Sequence, residues 1–230
     1  MTLLSIAQTA LRESGQYTVP STIVGNTDPT AVQLLALANR TGRTLANDYR
    51  WQALLISYTF PTVASTASYA LPGDFGRFAN LTFWDNTNYQ SVRGPVTPIE
   101  WQMLQSSMTA NAGITKAFRI AGNLFYIYPT PDAVETIAYN YYSKYWADST
   151  GSKAAFSNDS DEPLIDEDLI TLGLRWRWLQ AKGDTFENEK LEYMLRLESL
   201  QGADGGRDAI RFGERMTFMP NNLPDTAFGL

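Results

Sequence analysis

Neither cysteine nor histidine occurs among the 230 residues. Without cysteine there is no disulfide, no thiolate metal site and no thiol nucleophile. Without histidine there is no imidazole base and no Ser-His-Asp triad. Any catalysis would fall to carboxylates, tyrosine or lysine. Charge is also sparse. Asp, Glu, Lys and Arg make up 18% of the chain, below the roughly 25% usual in soluble domains, which leaves surface free to meet partners. Acidic residues outnumber basic ones, 24 to 18, for a net charge of −6. A surface that grips nucleic acid needs clustered Lys and Arg. This balance argues against one, though not against DNA passing an acidic opening without sticking. No apolar run approaches the roughly 18 residues of a membrane span. The start, MTLLSIAQTALRES, has no basic region ahead of an apolar core and reads as an amphipathic helix, not a signal peptide. We expect a soluble protein made in a cytoplasm, with no membrane partner.

What is present is apolar and aromatic, at 44% and 13% of the chain, enough for one large domain or a domain with an insertion. The segment around which the rest is organised runs from Asn158 to Gly183. Ile165, Leu169, Leu172, Trp176 and Leu179 recur at steps of four and three, and Leu174 and Trp178 widen that face. Asp166, Glu167 and Asp168 suit the positive end of a helix dipole. Lys182 and Gly183 close the helix, the glycine by its access to positive φ.

A helix precedes it over Thr2 to Ser14, with Leu4, Ala7 and Leu11 on one face. Asp28-Pro29 starts another. Its stripe, Ala31, Leu35, Ala38, Gly42, Leu45 and Tyr49, carries small residues at Ala38 and Gly42, where the helix within Asn158–Gly183 or the last helix is expected to approach. From about Trp51 the period becomes that of strands: Leu54–Phe60, Ser68–Leu71, Phe78–Trp84, Tyr89–Arg93, Ala117–Ala121, Leu124–Tyr128 and Thr136–Trp146, with a short helix over Pro98–Ser107. Gly122-Asn123 is a two-residue hairpin loop. Ala147–Asp161 reads as a polar connector, and Phe186–Gln201 as a last helix. The order of helices, strands and helices predicts an α+β fold. Residues 1–52 and 158–204 form a helical bundle, 53–157 an inserted antiparallel β-rich domain, and 205–230 an extended C-terminal arm. The arm is broken by Gly205-Gly206, Pro220 and Pro224 but keeps Phe212, Met216, Phe218, Met219, Leu223 and Phe228, a pattern suited to docking on a partner.

Several constellations bear chemical readings. Arg175-Trp176-Arg177-Trp178 has the composition of a nucleic-acid stacking site, but adjacent helical residues do not share a face. Core tryptophans with marginal arginines are the simpler reading. The acids Asp159, Asp161, Glu162, Asp166, Glu167 and Asp168 lack the EF-hand spacing. They read as capping and solvated charge, or as an acidic rim that repels DNA. Tyr139 to Trp146 is either a half-buried sheet or subunit interface, or a sugar-stacking face. With 24 carboxylates, a glycosidase pair is conceivable but nothing marks one. No catalytic, cofactor or metal residue is assigned.

Three segments resemble head-to-tail adaptor proteins of tailed bacteriophages. They are Tyr69-Ala70-Leu71-Pro72-Gly73-Asp74-Phe75-Gly76-Arg77, Leu124 through Asp132 (LFYIYPTPD), and Asp159 through Ile165 followed by Leu172-Gly173-Leu174-Arg175-Trp176-Arg177-Trp178 and Lys182-Gly183. Their order and spacing cover residues 1 to 204. The resemblance implies a non-enzymatic virion protein at the head-tail junction, without cofactors, made in the host cytoplasm. It implies assembly into rings of about twelve copies beneath the portal protein and above a nozzle or tail tube. DNA passes through the lumen during genome ejection, and the C-terminal arm reaches the portal. The rival readings are a carboxylate-based peptidoglycan hydrolase of the tail and a glycan-binding module.

Overall fold

A computed structural model describes residues 1–16, 18–106 and 116–204. Among these lie five helices: α1 (Leu3–Glu13), α2 (Pro29–Asp48), α3 (Pro98–Ser106), α4 (Glu167–Lys182) and α5 (Glu187–Asp204). The strands are β1 (Leu55–Pro61), β2 (Ser68–Ala70), β3 (Phe75–Phe78), β4 (Trp84–Asp85), β5 (Gln90–Ser91), β6 (Ala117–Ala121), β7 (Leu124–Tyr128), β8 (Thr136–Ser143), β9 (Ala147–Asp148) and β10 (Glu162–Pro163). The fold is α+β with antiparallel sheets, as expected. The arm residues Phe212, Met216, Phe218, Met219, Leu223 and Phe228 lie outside the described residues.

Helix α4 is built as its sequence dictates. The Asp166 carboxylate accepts from the Leu169 N–H at 2.8 Å, which satisfies one orphan donor of the first turn. Gly183 ends it at φ 81°, the left-handed cap that favours glycine. Helices α1, α2 and α5 all pack on it. Because three neighbours surround it, the innermost face is rotated from the expected stripe. Ile170, Gly173, Leu174, Arg177 and Trp178 are buried, whereas Leu172, Trp176 and Leu179 are only half-buried.

Helix α2 packs on α4, one of the two neighbours expected, but the residue that meets Gly42 is not on a helix. The space beside Gly42 is filled by the Trp146 indole, which arrives from the end of β8 and packs edge-on against Phe156. The close helix–helix approach lies one residue away, where the Thr41 methyl meets Gly173 of α4. The polar connector is therefore not merely polar. Trp146, Ala147 and Phe156 are buried with Leu34, Leu45 and Leu169 in the helical core.

Strands β1 to β8 form two facing sheets, and β9 and β10 pair in a small third one. In one, β8 lies at the centre, paired with β1, β4 and β3, and β5 continues from β4. In the other, β7 lies between β2 and β6. Alternate residues of each sheet point between them: Phe60, Phe118, Phe125, Ile127, Ile137, Tyr139 and Tyr141 bury a second core. Helix α3 covers the far face of β6–β7 through Trp101, against Tyr126 and Tyr128. Gly122 and Asn123 both take positive φ, 57° and 62°, the twist a two-residue hairpin requires. The expected strand Phe78–Trp84 is broken. It ends at Phe78, turns through Leu81 at φ 61° and resumes at Trp84.

The segment Leu71 to Arg77 explains itself in this setting. Asp74 accepts from the Tyr141 hydroxyl at 2.8 Å and the Ser143 hydroxyl at 3.1 Å. Gly76 lets β3 approach the Tyr142 carbonyl at an irregularity in the β3–β8 register. The Arg77 guanidinium then donates to the Asn47 carbonyl and, at 3.5 Å, to that of Ala46. These belong to the last turn of α2, which has no basic residue of its own. A strand thus supplies the cation that the helix C-terminus favours. Trp51 donates to the Leu45 carbonyl at 2.9 Å and satisfies the same turn.

Exchanging glycine for alanine inside a helix ordinarily stabilises by about 1 kcal/mol. At Gly42 the new methyl would overlap the Trp146 ring. We predict that Gly42→Ala destabilises by about 2 kcal/mol, the scale of core overpacking, as read by urea denaturation. Stabilisation would remove the notch from the account of the fold.

Candidate functional site

The buried polar groups come first, because a reaction centre would be among them. Asp161 is fully buried. It accepts from the Ser157 N–H at 2.6 Å, the Asn158 N–H at 2.9 Å and Lys153 Nζ at 3.0 Å. Burial alone would raise its carboxyl, but the bonds from Ser157, Lys153 and Asn158 outweigh burial and hold it well below the usual carboxylate range. A second cluster lies at one end of the main sheet, beside β4 and the start of β8. Lys116 bridges Asp85 and Glu135, and the Asn88 side chain donates to both, at 2.9 and 2.8 Å. Burial opposes the charge on Asp85, and the bonds from Lys116 and Asn88 overcome it, so this carboxyl also lies below its ordinary value. Burial likewise opposes the Lys116 charge, and its two carboxylates reverse the effect and raise it. A glycosidase acid needs a carboxyl raised by its surroundings. Asp85 is lowered, so it does not fit that acid role, and Lys116 and Asn88 tie it to Glu135.

The predicted sites separate. In Arg175-Trp176-Arg177-Trp178, Arg177 is not marginal but buried. It donates to Thr41 Oγ1 and to the Gly173 carbonyl at 3.2 Å each, and lies 4.4 Å over the Trp176 ring. Burial holds its guanidinium below the usual arginine range. Arg175 faces the other way, toward Glu13, Glu189 and Glu192. The acidic run is largely consumed inside the molecule. Asp159 accepts from the Ile23 and Val24 N–H groups, Asp166 caps α4, and Arg196 pairs with Asp166 and Asp168. Tyr139 and Tyr141 are buried in the sheet core, so they form a packing face and not a platform for sugar. Burial, and for Tyr141 also its bond to Asp74, push both phenols above their ordinary range. Among the described residues no group of three or more acidic side chains is placed to hold a metal, and no helix is long and apolar enough to cross a membrane.

The outward surface carries apolar stripes that sequence reading missed. On α5, Leu191, Met194 and Leu195 are 57%, 51% and 59% exposed. Spacings of three and four place them on one face, opposite the Tyr193 side that packs on Trp176 of α4. On α3, Ile99 and Met103 are exposed one turn apart. The signal on α5 was legible as a second apolar phase beside Phe186, Tyr193, Leu197 and Leu200.

The buried polar groups are thus tied within the fold, and α3 and α5 turn apolar side chains outward. The particular family follows from the sequence itself: the chain belongs to the SU10 adaptor protein family, whose family model matches residues 1–217. This is a family of phage adaptors, as the resemblance implied. No curated protein matches the chain.

Because the Asp161 carboxyl is lowered on folding, its contribution is present above the unfolded value of about 3.9 and is lost as pH falls through the folded one. Asp161→Asn is expected to cost about 2 kcal/mol at pH 7. The gap to the parent protein should narrow steadily below about pH 4, in denaturation curves taken across pH. A gap independent of pH would contradict the ionised tie.

Proposed function

We propose that the protein is a head-to-tail adaptor of the virion. Copies close into a ring, of about twelve by the resemblance, through a head-to-tail contact between unlike surfaces. The ring joins the portal protein above to a nozzle or tail tube below, and DNA crosses its lumen at ejection without specific binding. Membership of a phage adaptor family across residues 1–217 carries this reading. The exposed apolar residues of α5 and α3 support it, since neighbouring apolar side chains turned outward are the surface an interaction site uses.

In the same reading, residues 1–52 and 158–204 act as a helical bundle and 53–157 as an inserted β-rich domain. The two separate cores support that division, with Trp146, Ala147 and Phe156 reaching back into the helices. Residues 205–230 act as the portal-docking arm through Phe212, Met216, Phe218, Met219, Leu223 and Phe228.

Light scattering of the full chain, with and without the portal protein, tests the role. The expected outcome is a ring-sized complex with portal. Removal of residues 205–230 should weaken portal binding at least tenfold, about 1.4 kcal/mol or more. A chain that stays single whether or not portal is added would sink the proposal.

A further inference from the structure

The ring reading leaves open which surfaces of one copy meet the next, and two helices carry faces that fit each other. Both α2 and α5 pack on α4, and each turns one face outward. On α5 that face reads Glu187, Leu191, Met194, Leu195 and Glu198: an apolar centre with an exposed acid at each end. On α2 it reads Val32, Ala36, Arg40 and Arg43, all exposed, Val32 by 54%. Here an apolar half is followed by a basic half. The steps of three and four keep each set on one side of its helix.

The two faces also match in scale. At about 1.5 Å per residue, Leu191 to Glu198 spans about 10 Å and Val32 to Arg40 about 12 Å. Laid alongside with both chains running the same way, the leucines of α5 cover Val32 and Ala36 while Glu198 comes to Arg40. Small side chains on α2 allow the larger ones of α5 to seat. Among the described residues, none of Glu187, Glu198, Arg40 and Arg43 has an ion-pair partner in its own chain. Their charges are free to select a partner of opposite sign.

From this complementarity we infer that the outward face of α5 in one copy docks on the outward face of α2 in a second copy of this chain. The contact is heterologous, so each copy presents both faces and each interface uses one of each. The leucine and methionine side chains contribute apolar burial. The Glu198–Arg40 pair fixes the register, and like charges reject the pairing of α5 with α5 or of α2 with α2. The inference rests on the proposed ring.

Charge reversal tests it, because the two halves of the contact can be reversed separately. E187R/E198R makes both faces basic, and R40E/R43E makes both acidic. All four side chains are exposed, and circular dichroism with thermal melting verifies folding. The full chain is sized by light scattering with portal added. The expected result is that the parent forms the ring-sized complex and each variant alone does not. An equal mixture of the two should assemble again, since the basic α5 of one then meets the acidic α2 of the other. Variants that assemble alone like the parent overturn the α2–α5 contact and leave the ring standing. Variants that stay apart in the mixture overturn the pairing as well. A parent that never assembles overturns the ring, and this contact with it. The absence of cysteine supplies a second measurement that does not depend on charge. A36C/L195C should give a ladder of oxidised multimers on a non-reducing gel, and an unchanged single band contradicts the contact.

Discussion

The seat of the Trp146 indole against Gly42 is the contact on which the rest of the molecule depends. Strand β8 is the centre of the main sheet, and three residues beyond its end the chain drives this ring into the helical core. No side chain larger than hydrogen fits on α2 at that point. Arg77 makes the same connection from β3 by capping the C-terminal turn of α2. One apolar wedge and one cation therefore fix the strands to the helices at neighbouring places on a single helix. The outward faces of α2 and α5 acquire their relation to the sheets through that joint.

The carboxylates complete the frame from within. Asp74 holds the turn before β3 to the end of β8, Asp159 holds the Ile23-Val24 linker, and Asp161 gathers the loop ahead of α4. Asp85 and Glu135 share Lys116 at one end of the main sheet. In each case the cost of burying charge is offset by several donors. A chain with little charge thus places much of its acid where it organises backbone. The acids left facing outward on α5 are few, and they frame apolar residues instead of forming a broad negative field.

Much of this was legible from residue spacing. Helix α4 and its caps follow from Asp166, Lys182 and Gly183, and most strand positions from period-two alternation with its turn residues. Three features were not legible, each for a physical reason. The buried phase of α4 depends on how many helices surround it, which periodicity along one helix does not state, so Arg177 was placed at the margin. The partner of Gly42 lies over a hundred positions away in sequence, and a small residue signals close approach without naming what approaches. The acidic run was read as capping and solvated charge; Asp166 does cap, but Asp159 and Asp161 bind backbone N–H groups of loops, which no sequence pattern displays. The second apolar phase of α5 was readable and went unread, since one face of the helix already accounted for its packing on α4.

The seat of Trp146 is tested most directly by a double-mutant cycle between Gly42→Ala and Trp146→Ala, with stabilities from denaturant unfolding. If the ring fills the notch, the alanine at position 42 loses its penalty once the indole is gone, and the cycle gives a coupling of about 1–3 kcal/mol. Effects that add to within about 0.5 kcal/mol would mean that the two residues do not sense each other and that strands and helices are joined elsewhere.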